Sequence, residues 1–339
     1  MPATRDELED LLSEPSQGAI ETLARLEGDL IVLGVGGKMG PTLARMARRA
    51  LDGAGRPNKV IGVSRFSEPG LQERLAGWGI ETIACDLLEQ DQLDRLPEAP
   101  NVIAMTGMKF GSSSQPALTW AMNSYLPGLI CRKFRASRLV AFSSGAVYPL
   151  TSVLLGGSCE TDPPQPLGEY AMSVLGRERI YQYFSQVLSI PMVLLRLNYA
   201  NEPRYGVLVD LARQVLAGET IDLAMGLFNA IWQADANAMA LESFGHVSTP
   251  PLVLNLAGPE TLSVRRVCEE LGRLLDQPVQ FSGAESHDAF LSNAQQSHRL
   301  FGYPRVTAQQ MIRLVADWVR RGGEHLGKPT HYEARDGRY

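Results

Sequence analysis

The chain has 339 residues, 45% hydrophobic and 20% charged, enough to bury a large core without disulfide or metal support. Its net charge of -5, with no concentrated excess of Lys and Arg, speaks against a nucleic-acid surface, because phosphate binding wants a basic stripe. Four cysteines (Cys85, Cys131, Cys159 and Cys268) stand far apart, and the five histidines lack ligand spacing, which predicts reduced thiols and no metal site.

Residues 1–28 read as one or two short amphipathic helices, since Leu8, Leu11 and Leu12, then Ile20, Leu23 and Ala24, recur at helical intervals. They are expected to pack on the main domain as a lead-in, with a partner-docking segment as the alternative. Asp6, Glu7, Glu9 and Asp10 make this start acidic where a signal peptide would be basic. No apolar run reaches the roughly 20 residues that span a bilayer. A cytoplasmic protein is predicted.

Short apolar runs then alternate with helical stretches: Leu30–Leu33, Val60–Val63, Thr82–Cys85, Val102–Met105, Leu139–Phe142, Met192–Leu195 and Leu252–Leu256. Apolar on both alternations, they suit strands covered on both faces, hence a doubly wound Rossmann-type α/β fold with a parallel sheet. After Asn198 the rhythm loosens into loops. Val264, Val267, Cys268, Leu271, Leu274 and Leu275 form a helical stripe behind Ser263 as N-cap, and a further helix is expected over Ala308–Arg320. The dinucleotide-binding domain is expected to take 29–197 and about 229–256. A smaller C-terminal substrate cap takes 198–228 and about 257–321, and 322–339 is a loosely held polar tail.

Directly after the first run the sequence reads GVGGKMGPTLARMA. Gly34, Gly36, Gly37 and Gly40 allow a sharp turn and close approach to a pyrophosphate, while the N–H groups around Lys38 and Met39 lead into a helix whose positive end faces that anion. Where an NAD-selective site carries an acid at the end of the second strand, Ser64 and Arg65 stand instead. A guanidinium pairs with a 2′-phosphate, so NADP is favoured slightly over NAD. Asp86 is placed to accept from the adenine amino group or to cap a helix.

Taken together, these motifs resemble the extended short-chain dehydrogenase/reductase family of nucleotide-sugar epimerases and dehydratases, over about residues 29 to 320. GVGGKMG is similar to its G-x-x-G-x-x-G turn, CDLLE to its adenine-side acid, and FSSGAVYP to its S-S-x-x-V-Y-G segment. NVIAMTG resembles its fourth strand, with Met105 where many members have His. ETDPPQPLGEYAMSVLGRE resembles its E-x-x-P-x-P…Y-x-x-x-K…E segment, and IWQAD and LFGYP its later signatures. The resemblance implies that Ser144 bonds the substrate oxygen, with Ser143 the neighbouring alternative, and that Tyr170 is the general acid/base. Leu87 and Gly107 complete the implied cofactor contacts.

One departure stands out. Val174 occupies the family's Lys position, so the charge that holds the nicotinamide ribose and lowers the tyrosine pKa is missing. Lys109 and Arg177 are the candidates to replace it. Asn198 and Arg204, with Asn201 and Tyr205, are expected to bind substrate hydroxyls or a carboxylate. The expected activity is hydride transfer between NAD(P) and a carbinol or carbonyl carbon of a sugar, sugar acid or related polyol. The partner is a small molecule, and a homodimer through a two-helix face is open. The alternative is a cofactor-binding regulator or scaffold without turnover, to which Val174 points.

Overall fold

The computed structural model describes residues 1–109 and 111–337. Seven strands form one sheet: β1 Leu30–Leu33, β2 Val60–Ser64, β3 Glu81–Ala84, β4 Asn101–Ala104, β5 Arg138–Ser144, β6 Met192–Leu197 and β7 Leu252–Leu256. They pair in parallel in the order β7-β6-β5-β4-β1-β2-β3. The doubly wound sheet expected from the apolar runs is present. The chain reverses direction across the sheet between β1 and β4, which leaves a crevice at their carboxyl ends.

Alternate residues of β1 feed two cores: Leu30 and Val32 face one, Ile31 and Leu33 the other. The helices in chain order are α1 Arg5–Leu12, α2 Gln17–Ala24, α3 Gly40–Gly53, α4 Leu71–Gly77, α5 Gln90–Asp94, α6 Pro116–Trp120 and α7 Leu126–Lys133. They continue as α8 Gly168–Leu188, α9 Val207–Leu216, α10 Gln233–Glu242, α11 Val264–Leu275, α12 Gln295–Phe301 and α13 Ala308–Arg320. Leu126 and Ile130 of α7, Phe134 just beyond its end and Tyr181 of α8 fill the second core, whereas Leu43, Met46 and Ala47 of α3 fill the first. None of the helices is long and apolar enough, among the described residues, to cross a membrane.

The lead-in is built into the fold. Leu8, Leu12, Ala19 and Leu23 are fully buried, and α2 packs on α3 and α10. Beyond β6, helices α9, α11 and α13 pack together. The Ser263 side chain caps α11 by accepting from Arg266 N. The last stretch differs from the expected loose tail. Residues 324–337 form a strap: Leu326 N donates to Arg204 O, Thr330 bonds the Asp210 carboxylate through both N and Oγ1, and Arg335 pairs with Asp288. Thr330 and Tyr332 are buried, and Gly337 packs against Leu167 and Gly168 at the start of α8. Polar residues hold this segment through long-range pairs, so composition alone read it as free.

Candidate active site

At the end of β1 the chain turns through Gly34, whose φ of +87 strains any residue with a Cβ. Gly40 opens α3, and a Cβ there would run into the Val35 carbonyl. Gly36 packs on the Ser64 hydroxyl. With Pro41 in its first turn and no side-chain cap, α3 offers its leading N–H groups and positive dipole end to an anion. The bare cradle fits the pyrophosphate of a dinucleotide.

In front of this turn lies a cavity of about 370 Å³. Gly34, Gly37, Lys38, Met39 and Gly40 form one wall, and Gly107 and Lys109 reach it from the loop after β4. Ser143 and Ser144 enter at the end of β5, Tyr170 from α8, and Asn198 from the segment after β6. The structure thus brings these sequence candidates together. Ser64, Arg65, Asp86 and Leu87 lie outside the cavity. Leu87 is buried in the second core, while Asp86 accepts from Leu88 N at 3.1 Å and leaves the N-cap of α5 to Glu89. Arg65 is exposed, with its Nη1 4.0 Å from the Asp86 carboxylate.

Ser144 caps the turn Gly145–Val147, its Oγ accepting from Ala146 N at 3.1 Å. Tyr170 is half-buried and packs on Val147, Tyr148 and Val174. Val174 itself is fully buried in that cluster, so position 174 is a packing position here. Arg177, farther along α8, donates to Phe142 O at 2.9 Å and to the Asn123 side chain. Burial lowers the Arg177 pKa, against which Tyr170 is the foremost of the groups that raise it. Asn123 sits in a π-helical turn, Ala121–Tyr125, and also bonds Met108 N and Ser173 Oγ, clamping the loop after β4 to α8.

Three lysines, Lys38, Lys109 and Lys328, line the cavity. The Lys38 ammonium donates to Ala200 O at 2.6 Å and lies 4.0 Å from the centre of the Tyr205 ring. Burial pushes it down to about 7. Lys109 Nζ donates to Thr330 O at 2.8 Å, and burial lowers it to about 8. Ser143 is turned inward, its hydroxyl donating to Glu178 at 2.5 Å. Asn198 donates to Asn229 Oδ1 at 2.7 Å.

Arg204 departs from the expectation of a substrate contact. It is buried and outside the cavity, paired with Glu202 at 3.1 Å and with Glu9 of α1 at 3.3 Å. Arg204→Ala is expected to lower the melting temperature by several degrees, because it leaves the buried Glu202 carboxylate without its cation, while Glu9 keeps Arg5 at 3.1 Å. A scan that found no loss of stability, with KM for the substrate raised instead, would return Arg204 to the pocket. Asn201 likewise turns away, accepting from Leu208 N at the start of α9. The sequence reading missed the side chain of Lys38, together with Phe290, Lys328 and Thr330, which also line the cavity. Only the long-range packing of the strap brings the last two there.

The model of the NAD dependent epimerase/dehydratase family matches residues 30–227. The chain belongs to the NAD-dependent epimerase/dehydratase family. Solved structures share its fold. UDP-glucose 4-epimerase of Thermotoga maritima, bound to UDP-glucose, is 15% identical with a TM-score of 0.71, over 87% of this chain and 99% of that one. UDP-glucose 4-epimerase of Thermus thermophilus, with NAD, is 20% identical with a TM-score of 0.71, over 87% and 99%. UDP-glucuronic acid 4-epimerase of Bacillus cereus, with NAD, is 18% identical with a TM-score of 0.70, over 86% and 97%. A search of curated proteins found no significant match. Identities this low carry the fold, and family membership carries the NAD-dependent epimerase/dehydratase type.

Proposed function

We propose that the chain transfers hydride between NADP(H) or NAD(H) and a carbinol or carbonyl carbon of a sugar, sugar acid or related polyol. The observation that carries this is that Ser144 and Tyr170 open onto the same cavity as the glycine cradle. The nicotinamide, when bound, supplies or accepts the hydride. In reduction the Tyr170 hydroxyl gives its proton to the carbonyl oxygen, and in oxidation the same oxygen takes the carbinol proton. Ser144 Oγ already accepts from Ala146 N, which leaves its O–H to hold the substrate oxygen. Unbridged cysteines suit a cytoplasmic setting.

Arg65 favours NADP(H), since it is exposed at the end of β2 where no acid precedes it. The experiment is a titration of both cofactors by nicotinamide fluorescence, followed by turnover with sugars and sugar acids. Arg65→Ala is expected to weaken NADP(H) roughly tenfold or more and to spare NAD(H), the size of one charged hydrogen bond. Equal affinities untouched by the substitution refute the preference, and tight binding without turnover of any substrate refutes the enzyme reading.

A further inference from the structure

Four cations, Lys38, Lys109, Arg177 and Lys328, line the cavity, and no Asp or Glu among the described residues does. Arg177 is buried against Phe142 and Asn123. The three lysines come from three separate segments: the turn after β1, the loop after β4 and the C-terminal strap. We propose that Lys38 and Lys109 form a subsite for the carboxylate of a free acidic sugar, with the strap as its far wall. The proposal rests on the hydride-transfer reading and adds the charge and size of the substrate.

Direction separates this subsite from the cofactor cradle. The Lys38 side chain leaves the glycine turn and crosses the cleft to Ala200 and Tyr205, so the pyrophosphate is left to the N–H groups heading α3. Lys109 is fixed from the opposite side, on the Thr330 carbonyl. The acids that act on Lys38 are engaged elsewhere: Glu202 pairs with Arg204, and Asp210 bonds Thr330. Asp210 and Glu333 act on Lys109. Burial disfavours the charged forms of both lysines and the charge of Lys109 adds to this at Lys38, and an anion near them offsets both effects.

Size points the same way. A volume of about 370 Å³ lies low in the range of roughly 300–1,000 Å³ for small-molecule sites. It must also take the nicotinamide end of the cofactor. The strap walls one side of the cavity through Lys328 and Thr330 and is held by the contacts of Leu326, Thr330 and Arg335. Beside the nicotinamide this space suits a free sugar acid better than a nucleoside diphosphate sugar.

The test uses the full chain with each cofactor and three probes: a uronic acid, the matching neutral aldose and a UDP-sugar. Binding is read from the fluorescence of the bound reduced nicotinamide, and turnover from its absorbance. The acid is expected to be favoured over the aldose by roughly tenfold to a hundredfold, as one charged hydrogen-bonded contact provides. Lys38→Met and Lys109→Met should each raise KM for the acid roughly tenfold and reduce that preference, while Lys109→Arg should retain it. Equal handling of acid and aldose, no binding of the acid, or a preference for the UDP-sugar overturns the subsite and leaves hydride transfer standing. So does a Lys38→Met protein that loses cofactor affinity with KM for the acid unmoved, since Lys38 then serves the pyrophosphate. Failure of the unaltered protein to bind either cofactor overturns the hydride-transfer reading itself.

Discussion

Replacing Tyr170 with Phe is expected to slow hydride transfer in both directions by roughly a hundredfold to ten-thousandfold, the contribution of a positioned general acid or base. Val174, an aliphatic side chain buried with Val147 and Tyr148, brings no charge to Tyr170. The cation placed to act with it is Arg177, for which Tyr170 is the foremost of the groups that raise the pKa. A positive neighbour favours a negative oxygen. Arg177→Met should therefore slow oxidation, in which the tyrosine oxygen takes the carbinol proton, more than reduction, and Arg177→Lys should slow it less. Rates measured in both directions check this. Full activity in Tyr170→Phe makes the tyrosine structural, and a selective loss of oxidation in Lys109→Ala but not in Arg177→Met assigns the charge to Lys109.

The strands inside the sheet were legible because they are covered on both faces, and that coverage writes itself as a short apolar run; β3, at the edge, has no buried residue. A buried charge in a strand can end the run early. The reading ended β6 at Leu195, yet the strand continues through Arg196 because Glu178, on α8, neutralises it. The glycine turn was legible from local chemistry alone, since Gly34 and Gly40 answer to backbone constraints within a few residues. Arg204 was misplaced for the opposite reason. Its partner Glu9 lies 195 positions away, and a guanidinium after a strand looks the same whether it faces a ligand or a distant acid. Lys38 read as a backbone contributor to the turn, and its side chain gained a role only when Ala200 was brought across the cleft. Periodicity reports burial of apolar surface. It carries no record of which polar groups meet.

The buried pair beneath the site should be the most sensitive point of the fold. Arg196 holds both oxygens of Glu178, at 2.9 and 2.7 Å, and also donates to Tyr148 Oη at 2.6 Å. Tyr148 in turn donates to Asn255 at 2.9 Å, which ties β6, β7 and the turn after β5 together through side chains. Burial alone would lower the Arg196 pKa, but the hydrogen bond and charge of Glu178 outweigh it and hold the pKa above its ordinary value. Removing one member of such a pair leaves the other buried and unpaired, which costs about 3–5 kcal/mol. Glu178→Ala is therefore expected to lower the melting temperature by roughly 6–20 °C, taking about 2–4 °C per kcal/mol for a domain of this order. Glu178→Leu combined with Arg196→Met removes both charges together and should recover much of that loss, since hydrophobic replacement of a buried pair is often neutral. Ser143 adds a functional readout, because its hydroxyl donates to the same Glu178 carboxylate at 2.5 Å. In the double variant Ser143 loses that acceptor at the cavity wall, so stability should return while substrate KM stays altered. A single Glu178→Ala protein that melts with the unaltered chain would show that the network adds nothing to stability, and the Arg196 charge would then have to be satisfied elsewhere.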